Sequence, residues 1–318
     1  MTYRPMATPI LKWAGGKRQL LDELYARFPA AYDPGEHAYH EPFLGSGALC
    51  FDHEPRRGTV NDRNPRLVNF YRQVRDRPEE LIERCRTFPD PNDEPDPALA
   101  FTETDRKGRS IDAAYYQQRA LFNRRPNGES FDPLDEAARL LYLNRTGFNG
   151  LYRENADGEF NVPIGRYVDP DWVRAEQVRG VSRVLRGLGE GAVHHGEYDY
   201  VLDVAEPGDL VYFDPPYEPM SPTADFAEYS AGGFDREDQL ALLSVVETLA
   251  DRDIHVVLSN SGVMYDPYVD AGLFVDRVGA TRAINSDPDA RGEVNEVIAT
   301  TVPPEQRRGE DQRSLTDF

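Results

Sequence analysis

Apolar positions along the chain fall into short runs separated by stretches of helical spacing. Leu210–Phe213 is continuously apolar, the pattern of a strand buried on both faces. It stops at Asp214-Pro215-Pro216, because two prolines cannot donate to a strand ladder. Residues 254–261 form another such run, and shorter runs ending at Glu41, Asp62 and His195 predict further strands. Residues 274–278 and 294–300 read as a closing antiparallel pair. Residues 19–28, 67–74, 136–144, 172–188 and 235–249 carry helical spacing, the last capped by Asp235. In residues 136–144 the apolar side is Ala137, Leu140, Leu141 and Leu143. Strands alternating with helices predict an α/β fold built on an open sheet.

Four stretches break the pattern. Residues 76–98 carry Pro78, Pro89, Pro91, Pro95 and Pro97 with acids between them, which predicts a loop insertion and a domain boundary. Asp157-Gly158 predicts a hairpin turn. Residues 218–233, rich in Pro, Ser and Gly, predict a mobile loop. The polar residues 303–318 predict a disordered tail. No internal repeat is present.

Charge changes the picture. The chain has 318 residues, of which 56 are acidic and 36 basic, a net charge of −20. Only Lys12, Lys17 and Lys107 are lysine; the other basic residues are arginine. Taken at face value, such acidity argues against a polyanionic partner. It also suits molar salt, where charges are screened within about 3 Å. Acidic excess with few lysines resembles the proteins of salt-loving, halophilic organisms. Residues 106–125 run against the trend, with Arg106, Lys107, Arg109, Arg119, Arg124 and Arg125 against the acid Asp112. This basic island is either a phosphate-facing surface or a solvated helix face balanced by its neighbours. Cys50 and Cys85 are the only cysteines, so no disulfide framework is expected and a reducing cytoplasm fits. No apolar run of about 18 residues exists, and residues 1–10 lack a signal-peptide core, so no membrane partner is expected.

Candidate chemistry gathers at the strand ends, where ligands of open α/β sheets lie. Asp214, Pro215, Pro216 and Tyr217 offer a carboxylate, two rigid carbonyl-bearing residues and a ring; a turn that merely ends the strand is the plain alternative. Lys12-Trp13-Ala14-Gly15-Gly16-Lys17 leads into a helix. Its glycines allow close backbone approach, the helix start favours an anion, and Lys17 adds a point charge for a carboxylate. The spacing of a Walker A loop is absent. Gly45-Ser46-Gly47 follows a strand end, as nucleotide-binding turns do, but Cys50 stands where the dinucleotide fingerprint needs glycine or alanine. Asp62 is placed to accept from ribose hydroxyls, to cap the following helix, or both. Around Asp157-Gly158 stand Asn, Arg, Phe and Tyr, the side chains that read base edges and stack on bases. His37, His40, His53, His194, His195 and His255 lack metal-site spacing, so no metal is expected.

Lys-Trp-Ala-Gly-Gly-Lys at 12–17, Glu-Pro-Phe-Leu-Gly-Ser-Gly at 41–47, the Asn61-Asp62 strand end and Asp-Pro-Pro-Tyr at 214–217 occur in that order. With the basic insertion before the last, they resemble the Dam-like (class alpha, D12-type) family of DNA N6-adenine methyltransferases, over about residues 8–300. Residues 144–153 and 158–167 are similar to that family's DNA-reading hairpin. The resemblance implies a class I, Rossmann-like methyltransferase sheet interrupted by a mainly helical DNA-recognition domain carrying a β-hairpin. The implied division is 1–74 and 179–302 for the methyltransferase domain, 75–178 for the insertion and 303–318 for the tail. S-adenosylmethionine is the implied methyl donor, leaving as S-adenosylhomocysteine. Its implied site is Trp13, Lys17, Phe43, Gly45, Gly47, Asp62, Glu197, Tyr198 and Asp214. Glu197-Tyr198 stand where the family carries Asp-Phe.

Catalysis is implied for Asp214, Pro215, Pro216 and Tyr217. Double-stranded DNA is the implied partner, methylated at adenine within GATC by base flipping and direct displacement. Phe148 would wedge beside the flipped base, Asn149 would approach its unpaired partner, and Arg153 would contact guanine. Leu151 and Pro163 would touch thymine methyls. Asn144, Arg145, Asn161 and Arg166 would hold phosphates or neighbouring bases, with Arg124 and Arg125 in the basic island. A cytoplasmic monomer with a cognate restriction endonuclease completes the expectation. The rivals are an N4-cytosine or RNA amino-methyltransferase and a DNA-binding relative without catalysis. The chain has no Pro-Cys dipeptide, which a ring-carbon cytosine methyltransferase would need.

The acidity gives a direct expectation. The folded fraction, followed by circular dichroism, should fall as salt is lowered from about 1 M to about 0.1 M and the screening length grows from about 3 to about 10 Å. Equal folding at both concentrations would overturn the salt adaptation.

Overall fold

The computed structural model describes residues 7–99, 113–124, 131–168, 170–217, 234–281 and 293–308. The expected loop at 218–233, Arg125 with most of the basic island, and residues 309–318 of the tail lie outside the described residues. In chain order the first elements are α1 (Leu21–Ala26), β1 (Tyr39–Glu41), α2 (Ala48–His53), β2 (Gly58–Asp62), α3 (Pro65–Asp76), α4 (Pro78–Arg86), α5 (Ala114–Asn123) and α6 (Pro133–Thr146). There follow α7 (Ala175–Gly187), β3 (Val193–His195), α8 (Val201–Val204), β4 (Leu210–Phe213), α9 (Arg236–Ala250), β5 (His255–Ser261), α10 (Tyr265–Asp270), β6 (Phe274–Thr281) and β7 (Glu293–Thr300).

These elements form two compact units. The sheet unit holds the described parts of 17–63, 187–227 and 232–318; the helical unit holds those of 1–16 and 64–186. The described strands make one seven-stranded sheet in the order β3-β2-β1-β4-β5-β7-β6. β7 alone runs antiparallel to its neighbours. The order reverses at β1, which has β2 on one side and β4 on the other. This mixed α/β sheet is that of a class I methyltransferase fold.

The apolar run of β4 is explained by its two covered faces. Val211 and Phe213 join Val256, Leu258, Val297 and Ala299 in a core packed with Leu242, Val246 and Leu249 of α9 and Tyr268 of α10. Leu210 and Tyr212 point the other way and are buried too. As expected, Asp235 starts α9, in a capping box with Asp238. Residues 303–308, expected within the disordered tail, are held on this unit. Ala30 N–H donates to the Gln306 carbonyl at 2.8 Å, and Arg308 donates to the Phe28 and Tyr32 carbonyls at 2.9 and 2.8 Å.

In the helical unit α6 is almost wholly buried, and its buried residues include the polar Glu136, Arg139, Asn144 and Thr146 as well as its apolar ones. The cap of α3 is Asn64, whose side chain accepts from the Arg66 and Leu67 N–H groups, so the capping expected of Asp62 is corrected. Residues 76–98 are not simply a loop: they contain α4, which buries Leu81, Ile82 and Cys85. Pro78 does not prevent this, because it sits in the first turn, where no N–H is needed. The units accordingly divide at 63/64 and 186/187, and residues 7–16 belong with the helical unit.

The expected β-hairpin at Asp157-Gly158 is a turn whose arms meet at two isolated bridges, Glu154 with Phe160 and Gly147 with Ile164. A regular ladder does not form. Asn155 takes the Asp157 and Glu159 N–H groups on its side chain, at 3.0 and 2.9 Å, and Pro163 has no N–H to give.

Candidate active site

A strand order that reverses opens a crevice beyond the carboxyl ends of the strands on either side. Glu41 ends β1 and Asp62 ends β2, while Asp214 follows β4 directly. Ser259, Asn260 and Ser261 close β5. All belong to the sheet unit, as does Lys17.

Asp214 is the centre of this group. Its Oδ1 accepts from Lys17 Nζ at 3.0 Å and from Ser259 Oγ at 2.9 Å. The Ser259 hydrogen is thereby used, so the Tyr212 hydroxyl donates to Ser259 Oγ, at 2.9 Å. Among the described residues, Asp214 Oδ2 has no hydrogen-bond partner, and its side chain keeps 21 % of its surface exposed. The carbonyl of Pro215 likewise receives no donor among the described residues. The Pro216 carbonyl does, from Gln239 Nε2 at 2.9 Å. Burial pushes the Asp214 carboxyl up, with Lys17 pulling against it. Burial works against the Lys17 charge, but Asp214, Tyr212 and Glu296 outweigh it and hold the ammonium above its usual value. Lys17 also lies over the Tyr217 ring, 4.6 Å from its centre. Tyr217 donates to Glu296 Oε2 at 3.1 Å. Burial, Asp214 and Glu296 keep that phenol well above its usual range.

Beside it, Gly45 N–H donates to Asp62 Oδ2 at 3.0 Å. Gly47 has φ +67°, and a Cβ there would come within 2.3 Å of the Phe51 ring, so only glycine fits. Asn61 Nδ2 ties the Pro42 and Gly196 carbonyls, both at 3.0 Å. Asn61 Oδ1 is buried with no partner among the described residues. Phe43 stacks on Tyr198 with ring centres 5.3 Å apart. Glu197 is exposed and paired with Arg63 at 3.3 Å. A glycine turn, an orphaned carbonyl oxygen, two carboxylates and a stacked aromatic pair fit a group bearing hydroxyls, an amine and a flat base. Behind the turn, Glu41 is buried and accepts from the Tyr39 hydroxyl at 2.6 Å and Cys50 N–H at 3.1 Å. Burial pushes its carboxyl up to about 8. Among the described residues, no group of His, Cys, Asp and Glu could hold a metal ion.

The remaining predicted residues lie in the helical unit. Trp13 stacks on Tyr152, with ring centres 5.0 Å apart. Phe148, Asn149, Arg153, Pro163 and Arg166 are exposed; Arg124, Arg145, Leu151 and Asn161 are half-buried. Arg153 donates through Nε to Asn161 Oδ1 at 2.6 Å. Its two terminal nitrogens have no partner among the described residues. Asn161 therefore orients Arg153. Burial, reinforced by Arg174, lowers Arg145, and its Nε is unpartnered among the described residues. Asn144 is a correction. It is fully buried, accepts Lys12 N–H at 2.8 Å, and donates to the Lys12 and Gly150 carbonyls at 2.8 and 3.1 Å. With its amide so used, it holds the segment around Lys12 and cannot reach DNA. Arg119 of the basic island is also internal. It donates to the Val162 carbonyl at 3.1 Å and lies over the Tyr116 ring.

Residues 13–284 match the family of D12 class N6 adenine-specific DNA methyltransferases. The chain belongs to that family. It is 35 % identical over 292 residues to the type II methyltransferase M1.LlaDCHI of Lactococcus lactis, covering 92 % of this chain and 94 % of that protein. The type II methyltransferase M.MjaIII of Methanocaldococcus jannaschii is 33 % identical over 294 residues, covering 89 % and 94 %. The DNA adenine methylase of Escherichia coli is 35 % identical over 295 residues, covering 92 % and 95 %. The protein is thus an adenine-specific DNA methyltransferase with DNA as its substrate. Among the described residues, no helix is long and apolar enough to cross a membrane.

Several residues of this methyltransferase's site escape a sequence reading. Ser259, Tyr212, Gln239 and Glu296 all touch Asp214, its turn or its neighbours. The one available signal is Ser259-Asn260-Ser261, three polar residues at the carboxyl end of an otherwise apolar strand.

Glu41 gives a pH prediction. Unfolded, its carboxyl ionises near 4.5; folded, near 8. Folding takes up a proton between these values. The stability this group contributes is full below pH 4.5 and is lost as pH rises through about 8. Denaturant unfolding at constant high salt should show stability falling across that window by at most about 1.4 kcal/mol per pH unit. Glu41→Gln should flatten the slope; an unchanged slope would remove Glu41 as its source.

Proposed function

We propose that the methyltransferase moves a methyl group from S-adenosylmethionine to the N6 amine of adenine in double-stranded DNA, within GATC, after turning the base out of the helix. The observation that carries this is a pair of acceptors, Asp214 Oδ2 and the Pro215 carbonyl, that no donor among the described residues fills. An exocyclic amine has two N–H groups and a lone pair delocalised into the ring. Accepting both hydrogens draws the nitrogen toward tetrahedral geometry and localises that lone pair. Lys17 and Ser259, both on Oδ1, oppose the effect of burial on Asp214 and hold it turned. The prolines fix the carbonyl direction. Tyr217 stacks on the extruded base, held by Glu296. As the methyl arrives, one N6 proton leaves through Asp214 Oδ2 to solvent.

S-adenosylmethionine supplies an electrophilic methyl group. Phe43, Gly45, Gly47 and Asp62 would hold it, with Glu197, Tyr198, Trp13, Lys17 and Asp214 as the further expected contacts. No metal is needed in this scheme, because positioning and hydrogen bonding carry the transfer.

The helical unit supplies the DNA-reading side chains: Phe148 as wedge, Asn149 toward the orphaned base, Arg153 to guanine, and Leu151 and Pro163 to thymine methyls. Arg145, Arg166 and Arg124 serve phosphates. Arg153, with Nε braced by Asn161, offers its two terminal nitrogens as a fork suited to guanine O6 and N7. The names of the relatives, DNA adenine methylase and type II methyltransferase, support adenine methylation and a companion restriction endonuclease. A cytoplasmic monomer adapted to molar salt completes the proposal.

Expression in a methylation-free host, followed by mapping of modified bases, tests it directly. N6-methyladenine in GATC is expected; N4-methylcytosine as the only product would sink the reading. Asp214→Ala should abolish transfer while cofactor binding partly survives, and retained turnover would remove Asp214 from its role. Arg153→Ala should cost about 1–3 kcal/mol and relax one position of the site. A loss uniform across all sequences would mark Arg153 as a phosphate contact instead.

A further inference from the structure

Gln239 lies on α9 with its side chain fully buried. Its Nε2 donates to the Pro216 carbonyl at 2.9 Å, and its Oε1 accepts from Asn260 Nδ2 at 2.8 Å. The second hydrogen of Asn260 Nδ2 goes to the Tyr268 hydroxyl at 2.7 Å. Asn260 Oδ1 accepts the Ser261 N–H at 2.8 Å. Asn260 and Tyr268 are buried as completely as Gln239. Three elements, α9, β5 and α10, thus contribute one side chain each to a polar relay inside the apolar cluster of Leu242, Leu243, Met264 and Val297.

Such a relay is costly to bury unless every group is matched, and apolar side chains would fill the same space without that cost. Gln239 is where it leaves the core, and it ends on the Asp-Pro-Pro-Tyr turn. The torsions of that turn show what the contact does. The rings of Pro215 and Pro216 fix both φ angles. Pro216 restricts ψ of Pro215, as any proline does to the residue before it. The soft torsion left between Asp214 and Tyr217 is ψ of Pro216, which sets where its carbonyl points and where Tyr217 begins. The Gln239 bond fixes that carbonyl.

We infer that Gln239 is a positioning residue for methyl transfer: braced by Asn260 and Tyr268, it locks the soft torsion at Pro216 and so aims the Tyr217 ring at the adenine. This rests on the adenine-N6 reading above. Gln239 touches neither substrate nor cofactor.

The test measures kcat, KM for DNA, cofactor Kd and melting temperature for the wild type, Gln239→Ala and Gln239→Glu in one assay at high salt. Gln239→Ala should lower kcat about tenfold or more while cofactor Kd moves less than about threefold. Gln239→Glu guards against a variant that does not fold. Its protonated acid reproduces the donor and acceptor of the amide, whereas the ionised acid offers only acceptors to the Pro216 carbonyl. Its kcat should therefore fall as pH rises through its carboxyl pKa, a limb the wild type lacks. Wild-type kcat in both variants with only a lowered melting temperature would overturn the inference. So would a Gln239→Glu pH profile parallel to the wild type's, or a cofactor Kd that weakens in step with kcat. A wild type that transfers no methyl to adenine would instead overturn the functional reading, and the positioning role with it.

Discussion

A carboxylate at the end of a buried parallel strand is expensive to desolvate, and Lys17 and Ser259 offset that cost on a single oxygen of Asp214. Much of the sheet unit's site follows from this pairing. With Oδ1 doubly occupied, the carboxylate cannot rotate without losing two bonds, so Oδ2 has a fixed direction. Ser259 can donate only once, which makes Tyr212 its donor and fixes a second hydroxyl. The Lys17 ammonium sits between Asp214 and the face of Tyr217, whose hydroxyl reaches the Glu296 carboxylate. Negative and positive groups alternate through the site.

The same economy separates the arginines and amides of the helical unit into presented and internal groups. Arg153 and Asn161 look alike in sequence as DNA contacts, yet one braces the other. Asn144 and Arg119 instead satisfy backbone carbonyls of the same unit. Gly150 shows how tight the internal side is: its φ of +67° and a Cβ only 2.2 Å from the Lys12 side chain admit no other residue.

How the site was legible follows from the range of each interaction. Proline's missing N–H, the continuous apolar run of β4 and the cap at Asp235 act within a few residues, so they can be read locally. So can the glycine turn at 45–47. The irregular hairpin could not, because Asn155 diverts two N–H groups that a ladder would have used. Nor could the boundary at 63/64, because α3 follows β2 almost directly and only its packing assigns it to the helical unit.

By itself the sequence determined the α/β class, the strand that ends in Asp-Pro-Pro-Tyr, the glycine turn and, through its motifs in order, the family. Only the tertiary structure decided which groups meet Asp214 and its turn. Ser259 lies 45 residues from Asp214, and Glu296 lies 79 from Tyr217. Those partners are set by the register of β4 on β5 and of β5 on β7, where Ser261 faces Glu296. Register depends on how whole faces bury against α9 and α10, a property of the packed sheet that no short stretch contains.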